Sequence, residues 1–113
     1  MGDDMTSALL AALIAVESGG NNQAIGDEGR SIGCLQITEA CVRDVNRIYG
    51  THYRWPNDCF DRKASVEICV AYLTHYGGKS KSLEKAARIW NGGPKGHRNA
   101  ETRAYWIKVK KHL

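Results

Sequence analysis

Apolar positions recur along this chain mostly at three- and four-residue spacing, a period that predicts helices. Over residues 6–17, Leu10, Leu13, Ile14 and Glu17 share one face, and Thr6 or Ser7 is the expected cap. A second helix is expected over residues 39–49, capped by Thr38, with Cys41, Val45, Ile48 and Tyr49 inward. The third follows Asp61 over residues 62–76, buries Val66, Cys69, Val70 and Leu73, and stops at Gly77-Gly78. The fourth starts after Ser82, turns Leu83, Ala86, Ala87 and Trp90 inward, and ends at Asn91-Gly92-Gly93-Pro94. The fifth covers residues 101–111 and buries Tyr105, Trp106 and Val109. Two stretches, residues 19–36 and 50–59, fit no helix. The first contains Gly26-Asp27-Glu28-Gly29, which is turn chemistry and predicts a short hairpin around residues 26–30. The expected fold is therefore mainly α, about five helices with a small irregular or hairpin lobe after the first.

At 113 residues the chain fits one domain, 1–113, around one core. Its 42% hydrophobic and 25% charged residues are ordinary for a soluble globular protein. It has no apolar run of about 18 residues, so membrane insertion is not expected. Residues 8–16 could pass for a signal-peptide core, but Asp3 and Asp4 precede them instead of basic residues, which is the wrong flank. The net charge of +4 mildly favours an anionic partner. The basic side chains form no long block, so nucleic acid is not expected as a partner. Cys34, Cys41, Cys59 and Cys69 make no CxxC pair, and His52, His75, His97 and His112 show no ligand spacing, so no metal or cofactor is expected. The four cysteines are compatible with two disulfides or with buried thiols.

The candidate chemistry starts at Glu17. It lies at i+7 from Leu10 on the apolar stripe of the first helix and near that helix's C-terminus. Desolvation and the negative end of the helix dipole both raise the pKa of a carboxyl placed there. A carboxylic acid still protonated near neutral pH is what a general acid requires. Asp27 and Glu28 follow in a glycine-bounded turn, where a wetter carboxylate stays ionised. One protonated and one ionised carboxyl is the requirement for glycoside hydrolysis. An Asx-type turn would explain Asp27 equally well, and a plain helix cap would explain Asn91-Gly92-Gly93. Gln36, between Leu35 and Ile37, could bind a sugar or satisfy buried backbone.

Three segments carry a resemblance: "ESGGNNQAIGDEGRSIGCLQI", "CVAYLTHYG", and "ARIWNGGPKG" followed by "YWIKV". Together they resemble the lysozyme-like superfamily, most closely the invertebrate-type (destabilase) lysozymes and their bacterial or phage relatives. The likeness runs from about residue 12 to 113 and implies an α+β lysozyme-like fold. It implies a glycosidase that cleaves the glycan strand of peptidoglycan between N-acetylmuramic acid and N-acetylglucosamine. Glu17 matches the family's general acid, and Asp27 its second carboxylate, with Glu28 as the fallback. Ser18, Ser31, Gln36, Asn91 and Gly92 would line the sugar cleft. The likeness implies action on the cell wall as a monomer, reached through the periplasm, by secretion or by phage delivery. The animal members are disulfide-dense, and four cysteines argue for a bacterial or viral member. The alternatives are a lytic transglycosylase using Glu17 alone, and a non-catalytic module that binds wall glycan.

Overall fold

The computed structural model describes residues 3–113, with side chains from Ser7 onward. Five α-helices and one two-stranded sheet are present among these residues: α1 (Asp3–Ser18), β1 (Ile25–Gly26), β2 (Ser31–Ile32), α2 (Glu39–Tyr49), α3 (Arg62–Gly77), α4 (Leu83–Gly92) and α5 (Thr102–Lys110). They divide into two compact units. One joins Met1–Val16 to Leu73–Leu113, and the other is Glu17–Tyr72. Helices α1 and α3 each run through the division.

The unit Glu17–Tyr72 is built around the hairpin and α2. Strands β1 and β2 pair antiparallel, Ile25 opposite Ile32 and Gly26 opposite Ser31, as the turn chemistry predicts. Ile32 also bridges to Ile37, which brings the chain round into α2. Helix α2 has the expected bounds because both ends carry their own stop signals. The Thr38 hydroxyl accepts from the Cys41 N–H at 3.3 Å, and Gly50 closes the C-terminus in the left-handed region with a φ of 66°. Its buried face is turned from the expected one. Val42 and Val45 are buried, whereas Tyr49 is 44% exposed and donates its hydroxyl to the Ala71 carbonyl. Ile32, Cys34, Leu35, Ile37, Cys59, Ile68 and Cys69 complete this core. Gly33 is required there. Its φ is +82°, and a Cβ would stand 1.8 Å from the Cys59 carbonyl oxygen.

The other unit packs α4 against α5. Ser82 caps α4 as expected, its hydroxyl accepting from the Lys85 N–H at 3.1 Å. Leu9, Ala12, Leu13, Leu73, Ala86, Ala87, Ile89 and Val109 are its buried apolar side chains. Trp90, Tyr105 and Trp106, expected inside, are only half-buried. Helix α1 already includes Thr6 and Ser7, so neither is its cap. Arg88, which no apolar pattern marks, is 8% exposed. Its Nη1 pairs with Glu84 at 2.8 Å, its Nε donates to the Thr102 hydroxyl at 2.8 Å, and its Nη2 to the Asn99 carbonyl at 2.9 Å. A buried guanidinium survives only when its donors are satisfied, and here they hold the turn after α4 onto the start of α5.

Candidate active site

Glu17 and Ser18 are the last two residues of α1, so the helix that carries the acid also ends beside it. Glu17 is half-buried, as its place on the apolar stripe predicts. Its carboxylate is near enough to Cys69, which is fully buried, to help push that thiol up. Burial is the larger cause, and Cys41 and Cys34 add to it. The helix end is tied down by its neighbour. The Ser18 hydroxyl donates to the Cys34 carbonyl at 2.8 Å and accepts from the N–H groups of Gly20 and Asn21. Arg62, at the start of α3, fixes the same loop by donating to the Gly20 carbonyl at 2.7 Å. The sequence gives no sign of this, because the two residues are 42 positions apart and lie on no shared periodic face.

Asp27 sits on the exposed turn between β1 and β2, the wetter setting expected of a second carboxylate. The turn is strained. Asp27 has a φ of 49° and Glu28 a φ of 59°, left-handed values that cost a non-glycine residue on the order of 1 kcal/mol or more. Bonds on both sides keep Asp27 there. The Ser31 hydroxyl donates to its Oδ2 at 2.5 Å, and Arg30 donates to its carbonyl from both the backbone N–H and Nε. Glu28 has no such support from Ser31 or Arg30.

Three of the residues expected to contact sugar are hydrogen-bonded to neighbouring loops. Ser18 and Ser31 have the partners just described, and Ser31 is 3% exposed. Gln36, at a φ of 53°, donates from Nε2 to the carbonyls of Gly33 (3.0 Å) and Ala24 (3.3 Å), which joins the approach to β1 to the turn after β2. Glu17, Ser18, Asp27, Ser31 and Gln36 all belong to the unit Glu17–Tyr72, while Asn91 and Gly92 belong to the other. Both are exposed at the C-terminus of α4. Gly92 has a packing reason of its own, since a Cβ there would stand 2.5 Å from Thr102 Cγ2.

All four cysteines are free thiols. Burial pushes Cys41 and Cys59 up to about 12, helped for Cys41 by Cys59 and Asp44 and for Cys59 by Asp58, and it also raises Cys34. Cys34, Cys59 and Cys69 are core side chains and Cys41 is half-buried, and thiols so reluctant to ionise are poor nucleophiles.

Comparison with known proteins gives the family. Residues 3–113 match the transglycosylase SLT domain family. A lysozyme of Ostrea edulis is 34% identical over 96% of this chain and 81% of its own length. Lysozyme 1 of Crassostrea virginica is 45% identical over 71% of the chain, a match that spans 44% of that protein. The Meretrix lusoria lysozyme, solved in complex with Aeromonas hydrophila PliI, superposes with a TM-score of 0.79 at 28% identity. That match covers 92% of this chain and 87% of the solved one.

Proposed function

The chain belongs to the transglycosylase SLT domain family, among its invertebrate-type lysozymes, and from that premise we propose that Glu17 and Asp27 divide the chemistry of glycan cleavage between them. The protein is an enzyme of lysozyme type acting on peptidoglycan. In this reading Glu17 protonates the glycosidic oxygen between N-acetylmuramic acid and N-acetylglucosamine. Asp27 stabilises the oxocarbenium-like carbon or bonds to it, which gives retention of configuration. In this reading the protein acts as a monomer, with both carboxylates supplied by the same chain.

The contrast in setting between the two carboxylates carries the assignment. Glu17 is half-buried at the end of a helix beside the buried Cys69, and Asp27 is exposed on a turn that Ser31 and Arg30 pin. The Ser31 bond favours Asp27 over Glu28 as the second carboxylate. The basic net charge favours approach to an anionic wall.

Glu17→Gln keeps the shape and removes the acid. It is expected to abolish lysis of bacterial cell walls while the far-ultraviolet circular dichroism is unchanged. Wild-type lysis in that variant overturns the assignment. A second reading is supported by the family's own description: Glu17 acts alone and the substrate's N-acetyl group assists, as in a lytic transglycosylase. Mass spectrometry of the digest separates the two, since hydrolysis leaves reducing ends and transglycosylation leaves anhydro-muramic ends. Asp27→Asn is nearly harmless only in the second case.

A further inference from the structure

We propose that Ser31 is a positioning residue for Asp27 and selects Oδ1 as the carboxylate oxygen that meets the sugar. The proposal rests on the reading of Asp27 as the second carboxylate. It reassigns Ser31 from the sugar-contacting role that the family likeness implies.

The geometry is specific. Pairing of β1 with β2 places Ser31 opposite Gly26, so its Cα is fixed by the sheet and not by the turn. Its side chain is buried, and its hydroxyl reaches back across the turn to Oδ2 of Asp27 at 2.5 Å. Among the described residues Oδ1 receives no hydrogen bond. The backbone of Asp27 is held separately, through its carbonyl, by Arg30. The torsion that Ser31 fixes is therefore that of the carboxylate itself. Without the hydroxyl, the left-handed turn would leave the carboxylate free to rotate about its side-chain bonds.

The consequence for the reaction follows from where the electrons go. In the first step an Oδ1 lone pair forms the bond to the anomeric carbon as its bond to the glycosidic oxygen breaks. That oxygen takes the Glu17 proton, and Oδ2 becomes the carbonyl oxygen of the glycosyl ester. In the second step water adds to the anomeric carbon and gives its proton to Glu17, and the electron pair of the breaking bond returns to the carboxylate. A hydroxyl donates more strongly to a carboxylate than to an ester carbonyl, so Ser31 favours the return step as well as the orientation.

Ser31→Ala, Asp27→Asn and the double variant test this on soluble peptidoglycan fragments, with thermal melts to confirm folding. Ser31→Ala is expected to lower kcat about tenfold with KM within about twofold, because orientation is lost and binding is not. In the Asp27→Asn background the same change is expected to leave the residual rate within about twofold. A folded Ser31→Ala enzyme that keeps wild-type kcat, or whose loss is just as large in the Asp27→Asn background, overturns the proposal. Wild-type activity in Asp27→Asn instead overturns the reading of Asp27 on which it rests.

Discussion

Glu28 stands beside the proposed second carboxylate in the same left-handed conformation, with a φ of 59°, and its side chain is exposed. Asn adopts that region more readily than Glu. Glu28→Asn is therefore expected to hold or raise the melting temperature, by up to about 1 kcal/mol of stability, and to leave wall lysis within about twofold of wild type. Loss of lysis in a folded Glu28→Asn protein would transfer the role from Asp27 to Glu28. At this scale the sequence was legible for acids and opaque for hydroxyls and amides. The place of Glu17 follows from its spacing to Leu10 and Leu13. The roles of Ser18, Ser31 and Gln36 depend on which carbonyl or carboxylate folds back onto them, and no residue pattern encodes that.

Among the elements, helices were legible where their ends carry chemistry. Thr38 and Gly50 bound α2, and Ser82 caps α4. Buried faces were read less well, because polar residues can be inside when paired. Ser65 is buried in α3 and donates to the Cys59 carbonyl at 2.9 Å, and Arg88 is buried in α4 with three partners. The cysteines sit where α2, α3 and the intervening loops pack, and they give this core a pH dependence. A thiol raised in the folded state stabilises the protein fully below its unfolded pKa and loses that contribution as pH rises through the folded value. For Cys41 and Cys59 the window runs from about 9 to about 12. The melting temperature is expected to fall as pH rises through this window. At pH 8 a disulfide reagent should label the folded protein slowly and all four thiols rapidly once denatured. Rapid labelling of more than one thiol in the native protein would show that Cys34, Cys59 and Cys69 are not buried.

For the whole molecule, the net charge of +4 conceals a division. The unit Met1–Val16 with Leu73–Leu113 carries ten basic and four acidic side chains, and Glu17–Tyr72 carries six and eight. The basic excess thus belongs to one unit and both proposed catalytic carboxylates to the other. A net charge read from the sequence shows none of this, because the division follows the fold. A cationic surface attracts an anionic polymer by a screened interaction that fades as salt is added. Replacing Lys108, Lys110 and Lys111 with Glu is expected to weaken the salt dependence of lysis on intact walls. On walls stripped of their anionic polymers it should change the rate little. An unchanged salt profile on intact walls would show that these lysines do not guide approach.

Trp55 gives the fold an optical handle. It is the one tryptophan in Glu17–Tyr72, and its indole Nε1 donates to the Ile37 carbonyl at 3.0 Å, behind the hairpin that carries Asp27. Trp90 and Trp106 lie in the other unit. With those two replaced by Phe, the remaining emission reports the surroundings of the hairpin alone, so loosening of the turn can be watched in solution independently of catalysis.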